Sequence, residues 1–284
     1  MRMMKFTRRL FWMVAALGLA FASGSALAAV QPETGGIDFP KDISTWGHRI
    51  DWLIDITMYF TLVLFVIMCI WMLISYIWHD ENHEAEYDHG DSKHHITVAI
   101  ILSAVIFLIV DGNLWWNSVI DLDEEIWNFA KVEANEETVY IEVNARQWAW
   151  EARYAGTDGD FATPDDITTL NTIPVPVDTP VLIHLASPDV IHSLYLPNLR
   201  QKMDAVPGVL NPLWFQATET GDYDIGCAQH CGAHHYKMKG MLRVLPKADY
   251  AAWAKQASVN AVRAYDETDA DAHWGWPWRE DVNW

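Results

Sequence analysis

The chain has 284 residues, 38 acidic against 19 basic, and a formal charge of −19 at pH 7. That length allows one or two domains with a proper core, and so acidic a chain argues against nucleic acid as a partner while suiting a basic protein. Three cysteines cannot form a disulfide framework.

The N-terminus, MRMMKFTRRLFWMVAALGLAFASGSALAA, has the order of a cleaved secretory signal. Arg2, Lys5, Arg8 and Arg9 form the charged region, Leu10 to Ala22 the apolar one, and Ala26-Leu27-Ala28 an A-x-A cleavage site. Residues 1–28 are therefore expected to be removed, leaving 29–50 as an extracytoplasmic linker. The run ITMYFTLVLFVIMCIWMLISYI carries no charge and is long enough to cross a bilayer, so a first transmembrane helix is predicted over 51–78. Cys69 lies inside that run and reads as a small apolar residue.

A second apolar run begins at Ile96 and predicts a helix over 96–118, interrupted by Asp111, Gly112 and Asn113. Asp111 falls roughly 22 Å along such a helix. There its carboxylate either faces protein or water, or marks the end of the helix. The loop between, 79–95, has Lys93 against six acidic residues, so positive charge does not set the orientation. The exported signal does: the loop is cytoplasmic, and everything after about residue 120 lies outside. Histidines 79, 83, 89, 94 and 95 of this loop lack regular ligand spacing and read as solvated. Several of the sixteen tryptophans flank the apolar runs, where an amphipathic ring suits a membrane interface.

After a linker, 119–137, the pattern changes to short runs rich in Val, Ile, Tyr and Trp, broken by Gly, Pro and Asp. TVYIEVNARQWAWEARY alternates like a half-buried strand, and TIPVPVDTPVLIHLAS and MLRVLP behave similarly. Residues 138–247 are thus predicted to form an antiparallel β-sandwich or barrel. Residues 248–284 begin as an Ala-rich helix and end in an acidic, Trp-rich tail. The expected fold class is a membrane-anchored all-β protein, a two-helix hairpin followed by that β domain.

One segment of the β domain, GCAQHCGAHHYKMKG, has the spacing Cys227-x3-Cys231-x3-His235-x2-Met238. His192 lies upstream, at the end of a predicted strand. A disulfide would leave the histidines and methionine unexplained, and a bridge closing so small a loop restrains little chain. Zinc seldom takes a thioether, and its cysteines come closer together. Two thiolates, two imidazoles and a thioether suit copper. A mononuclear blue-copper site uses one cysteine, so the second is surplus; two copper ions bridged by both thiolates is the economical solution.

With these residues the chain resembles subunit 2 of the haem–copper cytochrome c oxidases, over about residues 50–247. The family's C-x3-C-x3-H-x2-M motif is met at Cys227, Cys231, His235 and Met238. Its D-V-x-H-S element is met at Asp189-Val190-Ile191-His192-Ser193, and its K-x-D-A-x-P-G segment at 202–208. Its aromatic segment is Gln147-Trp148-Ala149-Trp150. The resemblance implies a cupredoxin-like domain with the dinuclear copper A centre. Cys227 and Cys231 would bridge; His192 and Met238 would complete one copper, His235 and the backbone carbonyl of Gln229 the other. It also makes Trp148 the point at which electrons from cytochrome c enter.

The implied partners are the haem-bearing subunit 1, subunit 3, cytochrome c and membrane lipid. The implied place is a bacterial inner membrane, with the copper domain periplasmic. The implied role is in an oxidoreductase that reduces dioxygen to water and translocates protons, of aa3 or related type; oxygen is reduced in subunit 1. This chain has no transmembrane histidine set for two haems and no C-x-x-C-H motif.

Two positions depart from the family. Gln229 stands where many members have a glutamate that helps bind magnesium at the subunit 1 interface, and its neutral oxygen is a weaker ligand. Ser92-Lys93-His94-His95 stands where a glutamate often serves proton uptake. The rival readings are a quinol oxidase subunit 2, which lacks these ligands, and a copper-delivery or assembly protein, which needs exchangeable metal. Glu151, Asp158, Asp160, Asp222 and Asp224 are candidates for docking a basic cytochrome.

Overall fold

The computed structural model describes residues 39–79, 83–84, 87, 89–265 and 268. The predicted signal and nearly all of the acidic tail lie outside them. The described residues divide into two units, an apolar helical one and a β domain.

The helical unit takes in most of α1 (Gly47–Trp78) and, as far as Asp121, a second helical run over Lys93–Glu133; each is long and apolar enough to cross a membrane. The second run starts as α2 (Lys93–Ile106) and widens into a π-turn at Phe107–Asp111. It continues as α3 (Gly112–Asp121). The helix does not end at Asp111. The π-turn takes in the extra residue, the Gly112 amide reaching back to the Phe107 carbonyl. Asn117 then donates to the Asn113 carbonyl at 2.8 Å, so the polar interruption is absorbed within the helix. Arg49 Nε meets the buried Asp121 carboxylate at 2.7 Å. Cys69 is half-buried on α1.

The β domain follows a π-turn at Leu122–Ile126 and a short helix, α4 (Phe129–Glu133). Its strands are β1 (Val139–Arg146), β2 (Ala149–Tyr154), β3 (Ile167–Leu170), β4 (Thr172–Pro176), β5 (Pro180–Ala186), β6 (His192–Leu196), β7 (Gln201–Ala205), β8 (Asn211–Gln216), β9 (Gly221–Cys227) and β10 (Lys239–Leu245). They form two five-stranded sheets, ordered β3-β2-β1-β5-β8 and β4-β10-β9-β6-β7. Residues of both sheets share one buried core, so the domain is a β-sandwich. Its pairing is not antiparallel throughout. β1 lies parallel to β5 and β10 parallel to β4, because the chain changes sheet between β3 and β4 and again before β5.

Alternation along the strands sets the inward face. Ile141, Val143 and Ala145 of β1 are buried beside Trp150, Ala152 and Tyr154 of β2 and Val181, Ile183 and Leu185 of β5. Phe215 of β8 is fully buried among them. Phe215→Ala should therefore lower unfolding free energy by about 3–5 kcal/mol. An unchanged denaturant midpoint would show that the β8 face does not carry the core.

The outward face departs from simple alternation. Glu142, Glu151 and Arg153 should be solvated there, yet all three are buried. Arg153 Nε pairs with Asp166 Oδ2 at 2.5 Å and its guanidinium lies 3.9 Å from Glu142, while Glu151 pairs with Arg146. Burial of such groups is tolerable only in pairs. Burial still raises the Asp166 and Glu151 carboxyls above the usual range, against the pull of their arginines. Helix α5 (Lys247–Ala264) follows β10, and its Trp253 meets Tyr154 edge-on at 5.3 Å. Ile43, from the segment before α1, is also buried in this domain, exchanging backbone bonds with Asn198 and Thr218.

Candidate metal centre

Strand pairing brings the distant ligand candidates to one end of the domain. β6 begins at His192 and β9 ends at Cys227. The two strands are antiparallel neighbours, Leu194 opposite Cys227, and the Ala228 amide bonds the Ser193 carbonyl. From Cys227 the chain loops through Cys231 and a single 3-10 turn, His235–Lys237, to Met238, where β10 takes over. Backbone bonds from His235 to Gly232 and from Met238 to His235 hold the loop.

Within this loop the candidate donors converge. His192 Nδ1 is 3.2 Å from Met238 Sδ, and Met238 Sδ is 3.7 Å from Cys231 Sγ. The sulfurs of Cys227 and Cys231 are 3.7 Å apart, both free thiols. His235 Nδ1 is 3.6 Å from Cys231 Sγ. The Cys227 thiol donates to the Gln229 carbonyl at 3.1 Å. Ligand atoms of His192, Cys227 and Cys231 all lie within 4.8 Å of one another, and among the described residues they are the one such group of three. His192, Cys231 and Met238 are buried, Cys227 and His235 half-buried. His230 and His234 are exposed, as are the loop histidines that are described.

The donor set is soft to borderline: two thiols, a thioether, two imidazoles and one carbonyl. Copper fits it better than zinc or a hard cation. Electrostatics agrees. Burial first, then the adjacent Cys227 thiol, pushes the Cys231 thiol up to about 12. A Cys231 thiolate in this buried place needs a cation to balance it, and a soft metal would supply one.

Around the donors lies a shell of hydrogen bonds. Asp189 Oδ1 is 2.8 Å from His192 Nε2, and Asp189 Oδ2 accepts from the Gln147 backbone amide at 2.7 Å. Burial alone would raise the Asp189 carboxyl; the Gln147 amide, His192 ring and Val190 amide outweigh it and hold the carboxyl below its usual range. Trp148, on the β1–β2 turn, is half-buried. Its Nε1 is 3.3 Å from the Cys231 carbonyl and its ring meets His234 edge-on at 4.5 Å. Asp189 and Gln147 stand inside sequence motifs quoted above, yet nothing in the spacing indicated what their side chains touch.

Of the acidic residues considered for docking, Glu151 is corrected. It is 2% exposed and paired with Arg146, because it points outward beneath a covered part of the sheet. Asp158, Asp160, Asp222 and Asp224 are exposed, Asp222 in a two-point pair with Arg243.

The family described as cytochrome C oxidase subunit II, periplasmic domain, matches residues 139–244. The alternative cytochrome c oxidase subunit 2 of Bradyrhizobium diazoefficiens is 28% identical over 247 residues, 77% of this chain and 83% of that protein. Cytochrome c oxidase subunit 2 of Cereibacter sphaeroides is 26% identical over 262 residues, 80% of this chain and 82% of that one. The crystal structure of the periplasmic domain of cytochrome oxidase subunit II from Bradyrhizobium japonicum is 27% identical, covers 43% of this chain and 94% of its own, and superposes with a TM-score of 0.39.

Proposed function

We propose, from the match of residues 139–244 to the cytochrome c oxidase subunit II family, that this chain is the electron-accepting subunit of an aa3-type or related oxidase. Electrons come from cytochrome c on the periplasmic side and go on to haem in subunit 1. The observation that carries this reading is the chain of soft donors linking His192, Met238, Cys231, Cys227 and His235 at separations of 3.2 to 3.7 Å. Together with the Gln229 carbonyl these residues would hold two copper ions. When bound, copper supplies the one-electron chemistry of the relay.

The protein's own part is to bind and to orient. Asp189 accepts the Nε2 proton of His192, which leaves the Nδ1 lone pair turned toward Met238 and the sulfurs. The thiols of Cys227 and Cys231 lose their protons on loading, so uptake of copper should release protons to solvent. Burial of Cys231 and Met238 excludes water from the inner side. On the outer side Trp148 closes the β1–β2 turn over the Cys231 carbonyl and offers its ring to a docked donor. The two apolar helices anchor the domain in the inner membrane beside subunit 1, with subunit 3 a further neighbour. The exposed carboxylates at Asp158, Asp160 and Asp224 favour a basic cytochrome. The exposed Gln229 side chain is a neutral and weak magnesium ligand.

Copper counting and electron-spin resonance on the purified full-length protein test the reading. Two coppers per chain with a mixed-valence signal are expected. One copper per chain, or a Cys227–Cys231 disulfide in the loaded protein, would overturn it.

A further inference from the structure

Two parts of the site come from segments far apart in sequence, the Cys231 loop after β9 and the Asp189–His192 segment entering β6. One residue on the opposite sheet bonds to both. Gln147, on the turn between β1 and β2, donates from its side-chain Nε2 to the Cys231 carbonyl at 2.8 Å. Its backbone amide donates to Asp189 Oδ2 at 2.7 Å, and the other oxygen of that carboxylate meets His192 Nε2 at 2.8 Å.

The loop is shaped to receive this side chain. Gly232, next after Cys231, has φ +116°, a region in which residues with a Cβ are strained. A Cβ built there would come within 2.8 Å of Gln147 Nε2 and 3.3 Å of the Trp148 ring. Gly232 thus leaves open the space through which Gln147 and Trp148 reach the Cys231 carbonyl. A carbonyl oxygen only accepts, so the nitrogen end of the Gln147 amide must face it. Fixing that carbonyl fixes the Cys231–Gly232 peptide plane, and with it the backbone from which Cys231 directs its sulfur toward Cys227, His235 and Met238.

We propose that Gln147 is a positioning residue of the metal centre, its side chain holding the Cys231 sulfur and its backbone holding His192 through Asp189. This rests on the copper reading above. Its role is to keep two ligand segments in register while the centre changes charge, without touching metal itself. Residues that orient ligands in this way typically carry a 10–100-fold effect on metal affinity, so loss of the side-chain bond is expected to cost about tenfold.

The test compares Gln147→Glu and Gln147→Ala with the unaltered full-length protein. Gln147 is exposed, so a glutamate there stays ionised. It keeps the shape of glutamine but has no proton to donate to the Cys231 carbonyl. Both variants should release copper to a chelator about tenfold faster, and both should shift the sulfur-to-copper absorption band and the copper hyperfine splitting. Melting of the copper-free proteins should stay close to that of the parent. A glutamate variant that matches the parent in spectrum and copper release, whether or not the alanine variant is impaired, overturns the proposal, since shape alone then suffices. So do unchanged spectra in both. If the unaltered protein itself takes up no copper pair, the copper reading fails and this inference fails with it.

Discussion

Cys231→Ser is expected to abolish the metal centre. Cys231 is the hub of the donor set: its sulfur lies 3.7 Å from Cys227 Sγ, 3.7 Å from Met238 Sδ and 3.6 Å from His235 Nδ1. Among the described residues no other side chain touches as many of the candidate ligands. Serine keeps the size but replaces a soft sulfur with a hard hydroxyl that stays protonated at neutral pH, so one of the two thiolates is lost outright. Copper content should fall from two per chain to at most one, and the mixed-valence signal should vanish. Oxidation of cytochrome c by the assembled oxidase should drop by more than the ~100-fold that loss of an outer hydrogen-bond partner produces. Cys231 is also 2% exposed and part of the core, so an unsatisfied hydroxyl could cost about 1–3 kcal/mol of stability by itself. Melting of the copper-free forms separates the two effects. A variant that melts near the parent yet holds two coppers would refute the bridging role.

Much of this architecture is legible in the chain. The uncharged run at 56–77 dictates a helix that water cannot solvate, and the C-x3-C-x3-H-x2-M spacing sets four donors on one loop. His192 could be paired with that loop only through the family resemblance, because β6 and β9 become neighbours by a sheet order that alternation does not encode. Alternation puts Glu142, Glu151 and Arg153 on the outward face, where they are nevertheless buried. It gives the face of a strand but not what covers that face, and here ion pairs replace solvent. Asp111 leaves two readings open in the sequence, a carboxylate facing protein or water or the end of the helix, because a π-turn has no residue pattern of its own. Gln147 and Asp189 stayed unassigned for a related reason. The side chain of Gln147 meets a carbonyl 84 residues away, and that contact depends on Gly232 leaving room.

Trp148→Ala should leave copper in place and still slow the oxidase. The indole is half-buried at the rim of the site, with Nε1 3.3 Å from the Cys231 carbonyl, so it joins the surface to a ligand residue without being a ligand. Removing it leaves a gap between a docked donor and the site, and turnover should fall on the order of 100-fold, the scale on which misplacing reacting groups by about an ångström acts. The kinetic pattern tells the two possible roles of Trp148 apart. Loss of an electron path lowers kcat with KM little changed, whereas loss of a docking contact raises KM. Steering by the acidic surface is separate, so the variant should keep the parent's decline in rate with added salt. Trp148→Phe refines the point. It retains an aromatic ring against His234 but has no N–H for the Cys231 carbonyl, so a path through the ring predicts near-parent turnover and a path through the hydrogen bond predicts the alanine result. Unchanged cytochrome c oxidation in Trp148→Ala, with copper retained, would remove Trp148 from the route altogether.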